Sequence, residues 1–360
     1  MPSDIFTSWQ LWAALSAVFA ALTAIFAAGN RALVKLSENS RHFAALLEER
    51  LPRYFPPEKL AVFDERGGVG VEFSRLALDH LLFTGSTQTG RSVMAAAAAN
   101  LCPVTLELGG KSPALICEDF PLRAAVERIL FVKLMNAGQI CTTVDYALLP
   151  RRRMREFATL AQAFVAARYG GIHSADYTSI IDARAFARIT AAIEDARARG
   201  AEVIQLLPGS PWDAATRKIS PHLVLEPAAD CELMQREIFG PVLPILGYER
   251  LEEAVEFINA RPRPLAFYPF SRSGKTIARL LDTVMSGGVS VNDALWHVGQ
   301  HELPFGGVGA SGMGHYHGHE GFLTFSKLRP VFYQAPVSGM RLLWPPFGTF
   351  ADRVLNFLTK

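Results

Sequence analysis

The sequence is poor in charge and in cysteine, and both shortages exclude classes of function. Charged residues make up 19% of the 360 residues and the formal net charge is only +2, so the chain lacks the basic excess that marks a nucleic-acid-binding protein. The four cysteines, Cys102, Cys117, Cys141 and Cys231, show neither metal-ligand spacing nor the density of a disulfide framework. That usage is typical of a reducing compartment, and we predict a cytoplasmic protein in which one thiol is reactive and the others pack in the core.

Charge is also absent from residues 5–30, and residues 11–28 are almost wholly apolar. The run is long enough for a membrane-spanning helix. However, Asp4 stands where a secretory signal would carry basic residues, and Ala, Ser and Thr dilute the hydrophobicity. We therefore favour a buried helix that ends at Gly29, with membrane contact kept as the alternative.

The rest of the chain has the composition of a globular protein with a large core, since 50% of its residues are hydrophobic. Apolar strands alternate with helical segments, which predicts an α/β fold with parallel strand pairing. We predict strands at residues 31–36, 60–63, 80–83, 104–108, 223–225, 242–246 and 289–291, and helices at residues 41–50, 91–100, 122–134, 183–199, 251–259 and 350–358.

Two glycine-rich segments match nucleotide-binding patterns. Residues 307–312 read Gly-Val-Gly-Ala-Ser-Gly, but no strand precedes them and no helix follows, so we reject them as a dinucleotide site. Residues 85–92 have a strand before and a helix after, an arrangement that presents free N–H groups to phosphate oxygens. Arg91 replaces the lysine of a P-loop, which favours a pyrophosphate-binding turn over an NTPase, and a plain strand–turn–helix is the alternative.

One thiol and one carboxylate are candidates for catalysis. Cys141 follows the loop-like run Asn136–Ile140, and Glu107 lies in an apolar strand directly before Gly109 and Gly110. A thiol beside a carboxylate suggests covalent catalysis with a general base. Burial in an apolar strand should raise the pKa of Glu107, which suits a base near neutral pH.

These segments together resemble the aldehyde dehydrogenase superfamily. The matching runs, in chain order, are Phe83–Thr87 with Gly90 and Arg91, Leu106–Pro113, Asn136–Cys141, Glu237–Pro241, Leu303–Gly307 and Gly312–Gly314. The resemblance extends from about Ala27 to the end of the chain. Residues 314–327 and 330–333 are similar to the bacterial coniferyl aldehyde dehydrogenase branch.

The resemblance implies oxidation of an aldehyde to a carboxylic acid. In that family a cysteine thiolate adds to the aldehyde, hydride passes to a nicotinamide, and water activated by a glutamate hydrolyses the thioester. The resemblance assigns the nucleophile to Cys141 and the base to Glu107. It also implies that Trp296, His297 and Phe305 lie near the substrate tunnel, which suggests an aromatic, coniferyl-aldehyde-like substrate, although the sequence alone does not identify the aldehyde.

The resemblance also implies the cofactor contacts. Lys35 and Glu38 match the residues that hold the adenosine ribose, Gly85 and Ser86 match the pyrophosphate contacts, Glu237 matches the ligand of the nicotinamide ribose, and Phe239 matches the residue beside the nicotinamide. A carboxylate at Glu38 would repel a 2′-phosphate, so NAD is favoured over NADP. No metal is expected, and the alternating His315, His317 and His319 are more simply explained as part of a structured loop than as metal ligands.

The implied fold has a Rossmann-like cofactor domain, incomplete at its start, at residues 1–108. An α/β catalytic domain follows at 109–310, and a segment that closes the site and contributes to a homodimer occupies 311–360. Members of the family carry a long segment before this match, including a Pro-Trp-Asn stretch that is not found in the first residues here. We therefore expect an N-terminally truncated enzyme of reduced activity. The alternative is an inactive remnant that binds a full-length relative.

Overall fold

The computed structural model describes residues 19–359. The described chain forms two compact units, residues 19–326 and residues 327–359. Among the described residues, no helix combines the length and the apolar character needed to cross a bilayer.

The elements of the first unit follow one another as strands and helices throughout. The helices are α1 (residues 19–27), α2 (Arg41–Arg50), α3 (Val69–Phe73), α4 (Thr87–Ala98), α5 (Leu122–Leu134), α6 (Met154–Ala166), α7 (Ala183–Ala198), α8 (Glu232–Gln235), α9 (Leu251–Asn259), α10 (Gly274–Thr283) and α11 (Gly318–Thr324). The strands are β1 (Ala32–Lys35), β2 (Leu60–Phe63), β3 (Leu81–Gly85), β4 (Val104–Leu108), β5 (Pro113–Ile116), β6 (Tyr146–Pro150), β7 (Glu202–Gln205), β8 (Trp212–Asp213), β9 (Lys218–Ile219), β10 (His222–Leu225), β11 (Val242–Tyr248), β12 (Ala266–Phe270), β13 (Gly288–Val289) and β14 (Gly312–Met313).

The largest sheet has seven strands in the order β13-β12-β5-β6-β11-β10-β7. All neighbours pair in parallel except β7, which runs antiparallel to β10. Every residue of β5, β6, β10 and β12 is buried, as expected of a parallel sheet with helices on both faces. Two apolar clusters fill the two sides of this sheet, one around α5 and α6 and the other around α7 and α9.

Three smaller sheets contain the other described strands. Strands β1 and β2 form a parallel pair, β8 and β9 form an antiparallel pair, and β14, β4 and β3 form a three-stranded sheet. In the latter, β3 and β4 are parallel and β14 is antiparallel to β4. β4 is therefore the central strand, and its last residues lie between the ends of β3 and β14.

Helix starts are set by side chains that accept hydrogen bonds from free backbone N–H groups. The Ser86 hydroxyl accepts from Thr89 N at the start of α4, and Asp182 Oδ1 accepts from Ala185 N at the start of α7. Ser273 caps α10 in the same way. The α4 cap also explains one shift from the prediction: this helix begins at Thr87, directly after the glycine turn, rather than at residue 91.

The uncharged N-terminal run is described only in part. Residues 19–27 form α1, in which Ala21 and Ala24 are buried. Ala24 packs against Gly321 of α11, where an added Cβ would lie 3.1 Å from the Ala24 side chain. The described part of the helix is buried on one face only, since Phe19 is 55% exposed, and it ends at Ala27, two residues before Gly29. Residues 11–18, the start of the predicted helix, lie outside the described residues.

The second unit is short and carries many exposed apolar side chains. It contains a 3₁₀ turn at Gly339–Leu343 and helix α12 at Thr349–Leu358. Phe332, Tyr333 and Phe357 are among its exposed large side chains. The predicted helix at residues 350–358 is thus confirmed with one more residue at its start.

Several strands of the large sheet are missed by periodicity alone. β5, β6 and β12 are buried on both faces, so they show no polar alternation, and β12 carries a proline at position 269. Proline usually argues against a central strand. The predicted α/β class with parallel pairing is confirmed, with β7 and β14 as antiparallel exceptions.

Candidate active site

Glu107 is a buried carboxylate on the central strand of the small sheet. It lies in register with Thr84 of β3 and Gly312 of β14, and the residue is only 2% exposed. Its Oε1 atom has no hydrogen-bond partner among the described residues. Burial disfavours the charged form and raises the pKa of Glu107 to about 8, as the sequence predicts for a base that works near neutral pH.

The rejected glycine motif at residues 307–312 forms a tight turn against this strand. Ser311 O accepts a hydrogen bond from Leu108 N at 3.1 Å. Gly312 has φ +140°, and an added Cβ there would lie 2.1 Å from Leu106 O. The glycines therefore allow the backbone of this turn to approach β4 closely. Among the described residues, no strand leads directly into the motif and no helix directly follows it, so it does not have the structure of a dinucleotide-binding fingerprint.

Cys141 follows a loop in a strained backbone conformation. Asn136, Ala137 and Gly138 have φ values of 51°, 52° and 76°, a left-handed region that non-glycine residues seldom adopt. Gln139 stabilises the loop: its Nε2 donates to Asn136 O and Ser179 O, and its Oε1 accepts from Ile181 N at 2.8 Å. Strain of this kind persists only where surrounding bonds hold it, and it is common at functional sites.

A second loop, residues 237–240, is pressed against the cysteine loop. A Cβ at Gly138 would lie 2.3 Å from Gly240 O, so the two backbones approach as closely as glycine allows. Phe239 in this loop also has a positive φ of 49°. Arg188 holds the loop from α7, because its guanidinium donates to Glu237 O and, at 2.7 Å, to Ile238 O.

A buried ion pair links the two loops to the strands behind them. Lys111 Nζ pairs with Asp145 Oδ2 and also donates to Leu233 O at 2.7 Å. Asp145 Oδ1 accepts from Ile238 N at 3.0 Å. One carboxylate therefore ties the segment after Cys141 to the loop that carries Glu237.

The side chain of Glu237 lies across the glycine that follows the Glu107 strand. A Cβ at Gly109 would lie 1.9 Å from Glu237 Oε2, so the absence of a side chain at this position leaves room for the carboxylate. Burial, and then the charge of Asp145, raise the pKa of Glu237 to about 8. Its Oε1 has no hydrogen-bond partner among the described residues.

Cys141 itself lies in an apolar setting between two carboxylates. It packs against a cluster that includes Leu265, Phe305 and Tyr316. Burial raises the pKa of the Cys141 thiol, and the charges of Glu107 and then Glu237 raise it further. Because Glu107 and Glu237 both act on this thiol, the structure brings together three of the residues that the sequence singles out.

The thiol is therefore protonated at rest and needs a base to become a nucleophile. Thr142, the residue after Cys141, is fixed by Tyr268, whose hydroxyl donates to Thr142 O. The backbone on the C-terminal side of the nucleophile is thus held by a fully buried side chain.

The glycine turn at residues 85–87 leads from β3 into α4. The Phe83 ring occupies the space where a Cβ at Gly85 would lie, at 2.6 Å. Ser86 caps the helix and is exposed. Thr87 Oγ1 donates to Ala310 O at 3.0 Å, so this turn is joined to the turn that supports the Glu107 strand.

Lys35 and Glu38 lie at and just after the end of β1. Lys35 forms an ion pair with Glu65, and Glu38 is exposed, with its Oε2 accepting a hydrogen bond from the Ser37 hydroxyl at 3.3 Å. The sequence does not predict the ion pair between Lys35 and Glu65. This ion pair orients the Lys35 ammonium at a partly exposed position.

The three aromatic residues expected near the substrate differ in their surroundings. Phe305 belongs to the cluster that contacts Cys141. His297 accepts or donates a hydrogen bond with Ser290 Oγ at 2.8 Å and packs beside the Tyr268 ring. Trp296 is 55% exposed. Only Phe305 is therefore in the same apolar cluster as the thiol.

The histidine tract is built into side-chain packing. His317 stacks on Phe305 with ring centroids 5.0 Å apart and packs edge-on against Tyr316 at 4.7 Å. In residues 19–359 no group of three or more His, Cys, Asp or Glu side chains is arranged to hold a metal ion.

Sequence reasoning misses the residues that hold the site together. Lys111, Asp145 and Arg188 link the loops, and a further buried cation, Lys133, lies at the end of α5. The available signal is a lone charge inside an apolar segment, as in Phe131-Val132-Lys133-Leu134. Such a charge is costly unless it is paired or used.

Comparison with known proteins identifies the family. A profile described as "Aldehyde dehydrogenase family" matches residues 5–331, so the match begins well before Ala27 and includes most of the uncharged N-terminal run. A "Probable coniferyl aldehyde dehydrogenase" from Pseudomonas aeruginosa is 47% identical over 335 residues, which are 93% of this chain and 70% of that protein.

Solved structures show the same fold. The substrate-bound state of Staphylococcus aureus AldH superposes with a TM-score of 0.86 at 36% identity, covering 95% of this chain and 74% of that one. The Mycobacterium tuberculosis aldehyde dehydrogenase complexed with NAD+ superposes with a TM-score of 0.76 at 29% identity, covering 85% of this chain and 65% of that one.

The predicted fold, with a Rossmann-like cofactor region and an α/β catalytic region, is thereby confirmed. With a family profile over most of its length and a relative of 47% identity, this chain belongs to the aldehyde dehydrogenase family and is an enzyme that oxidises aldehydes.

Proposed function

We propose that the chain oxidises an aromatic aldehyde to its carboxylic acid, with Cys141 as the nucleophile, Glu107 as the general base and NAD as the hydride acceptor. The observation that carries the proposal is one thiol, at the end of a loop in a strained backbone conformation, that lies within reach of the charges of two carboxylates, Glu107 and Glu237. The aromatic class rests on Phe305 beside the thiol and on the name of the coniferyl aldehyde dehydrogenase relative.

Glu107 takes the thiol proton in the first step, and the Cys141 sulfur forms a bond to the aldehyde carbon, giving a thiohemiacetal. NAD, when bound, would supply the acceptor for the hydride of this carbon, and Cys141 would then carry the thioester. Glu107 releases the thiol proton to solvent and then removes a proton from water as the hydroxyl adds to the thioester. The C–S bond breaks to release the acid, and Glu107 returns its proton to the Cys141 sulfur.

The residues present fit a dinucleotide. The N-terminus of α4 follows Gly85 and Ser86, where backbone N–H groups and the helix dipole attract a pyrophosphate. Glu237 Oε1, buried and without a hydrogen-bond partner among the described residues, would accept ribose hydroxyls, and Phe239 would pack beside the nicotinamide. Lys35 and the exposed Glu38 would hold the adenosine ribose, and the Glu38 charge would favour NAD over NADP.

Domain and assembly assignments are part of the proposal. The cofactor region comprises residues 1–108, the catalytic region 109–310, and the segment 311–360 closes the site and contributes to a dimer. β14, at Gly312–Met313, already pairs with β4 of the cofactor region, which supports a closing role for the start of that segment. Sedimentation of the purified chain at several concentrations measures the assembly, and a monomer at all of them contradicts the dimer.

The test is to trap the acyl-enzyme. The purified chain is mixed with an aromatic aldehyde and NAD, quenched in acid, digested and analysed by mass spectrometry. We expect the mass of the acyl group on Cys141 and formation of reduced cofactor. Both should be lost in Cys141→Ala and retained in Cys117→Ala, a matched change of a buried cysteine outside the site. Acylation elsewhere, or turnover unchanged in Cys141→Ala, overturns the assignment.

A further inference from the structure

Lys133 is a buried cation that the reaction above does not use. It lies in the last turn of α5 and is 1% exposed, and its Nζ has no hydrogen-bond partner among the described residues. Buried lysines without a partner are rare, because desolvation of the ammonium is costly. Its retention inside an otherwise apolar helix face therefore calls for a counter-charge nearby.

The position of Lys133 places it directly behind the catalytic loops. The strained loop to Cys141 begins two residues later, and a Cβ at Gly138 would lie 3.0 Å from Lys133 O. Three charged groups act on the ammonium: Asp145, Lys111 and Glu237. Asp145 is already paired with Lys111, so Glu237 is the other carboxyl whose charge acts on Lys133.

Glu237 has a buried oxygen, Oε1, that lacks a hydrogen-bond donor among the described residues. The groups that face its carboxyl are Asp145, Lys111 and Arg188, with the Gly110 backbone as a hydrogen-bond partner, and its own charge acts on Lys133 and Cys141. Arg188 is committed to the carbonyls of Glu237 and Ile238. Lys133 Nζ and Glu237 Oε1 are thus a buried donor and a buried acceptor, each without a hydrogen-bond partner among the described residues.

We propose that Lys133 is a positioning residue for cofactor binding: its ammonium favours the ionised form of Glu237, so that this carboxylate accepts the hydroxyls of the nicotinamide ribose. The inference rests on the role of Glu237 given above. It goes beyond that role because Lys133 itself touches neither cofactor nor substrate and acts only through charge.

The pKa values support this arrangement. Burial, opposed by the charge of Asp145, lowers the pKa of Lys133 to about 8, and burial raises the pKa of Glu237 to about 8. Below this range Lys133 is charged and stabilises the carboxylate. Above it Lys133 loses its charge, but Glu237 is then ionised without help. Lys133 therefore matters at neutral pH and ceases to matter in alkali.

The test is the pH dependence of NAD+ binding by Lys133→Met, measured by isothermal titration calorimetry. Removing the Lys133 charge should raise the pKa of the Glu237 carboxyl by roughly one unit, so we expect NAD+ to bind about tenfold more weakly at neutral pH. The difference from wild type should fall below about twofold near pH 9.5, where Glu237 is mostly ionised in both proteins. KM for NAD should rise while kcat changes little. Lys275→Met, which removes an exposed lysine from α10, is the control and should match wild type.

A double substitution separates this inference from the proposed function. If Lys133 acts through Glu237, adding Lys133→Met to Glu237→Gln should weaken NAD+ binding no further. Additive losses overturn the inference, as does a Lys133→Met effect that is the same at every pH. If Glu237→Gln alone leaves NAD+ binding unchanged, the role of Glu237 fails instead.

Proton release provides a readout if Lys133→Met does not fold. Titration of wild-type enzyme with NAD+ in two buffers of different ionisation heat should show fractional proton release at neutral pH, because binding ionises Glu237. Glu237→Gln should abolish that release. Equal release in both proteins contradicts the linkage on which the proposal depends.

Discussion

The two sides of the candidate active site are built in different ways. The strands behind the cysteine loop, β5, β6, β10 and β12, are buried at every position, whereas β1, β2 and β3 on the proposed cofactor side are only partly buried. The difference matches the two tasks. Bond-making groups need a rigid and desolvated frame, while a dinucleotide that enters and leaves with each turnover needs an accessible surface.

The ion pairs show the same contrast. Lys111 and Asp145 have side chains 13% and 1% exposed, and they tie two loops together. Lys35 and Glu65 are 21% and 23% exposed, and they lie at the edge of a two-stranded sheet. The first pair lies inside the frame of the candidate site, and the second leaves the Lys35 ammonium partly open to solvent.

The largest effect on activity is expected from a substitution of Glu107 on the buried side of the candidate site. Glu107→Gln removes the base from both proton transfers, that of the thiol and that of the hydrolytic water, and should lower turnover by about 10²–10⁴. In wild type the ionised base is required, so kcat/KM should rise with pH, with a midpoint near the Glu107 pKa of about 8, and this rise should disappear in the variant. Glu127→Gln, an exposed carboxyl on α5, is the control. A variant that keeps the wild-type profile argues against Glu107 as the base.

The ion pairs provide a direct test of the contrast in stability. Lys111→Met leaves the buried Asp145 unpaired and should cost about 3–5 kcal/mol in the free energy of unfolding. Lys35→Met breaks the more exposed pair and should cost about 0–1 kcal/mol. Both are read from denaturant titrations of the purified variants. Equal losses would show that the two regions do not differ as their burial suggests.

The strained loop before Cys141 should tolerate no side chain at its glycine. Gly138 has φ +76° and faces Gly240 O, 2.3 Å from where a Cβ would lie, so Gly138→Ala should cost about 2–4 kcal/mol and lower activity with it. Gly274→Ala, at a helix start with open space around it, should change stability by less than about 0.5 kcal/mol. Thermal unfolding measures both, and a neutral Gly138→Ala contradicts the close packing of the two loops.

The smallest effect on activity and stability is expected from a substitution of Glu38 on the exposed, proposed cofactor side. Glu38 is exposed, so Glu38→Gln should leave stability nearly unchanged. The substitution removes a repulsion of roughly 1 kcal/mol between the carboxylate and a 2′-phosphate. The ratio of kcat/KM for NADP to kcat/KM for NAD should therefore rise about fivefold. Glu58→Gln, another exposed glutamate near this sheet, is the control. An unchanged ratio places Glu38 away from the adenosine ribose.

Sequence reasoning predicts the local elements and the burial of Glu107 better than the contacts that support the candidate site. β2, β4, α5 and α9 have the predicted limits, and the burial and raised pKa of Glu107 agree with expectation. Lys111, Asp145, Arg188 and Lys133 go unrecognised, because a lone charge in an apolar run does not show which distant residue will face it.

What the sequence determined by itself is local. A strand followed by glycines, a capped helix after the turn at Gly85, and a cysteine after Asn136–Ile140 each depend on neighbours in the chain, and short-range sterics and hydrogen bonding decide them. The tertiary structure decided how these pieces meet: which carboxylates face the Cys141 thiol, and why the glycines at 307–312 serve β4 rather than a phosphate. The physical reason is that desolvation and Coulomb interactions depend on distances in space between residues far apart in the sequence.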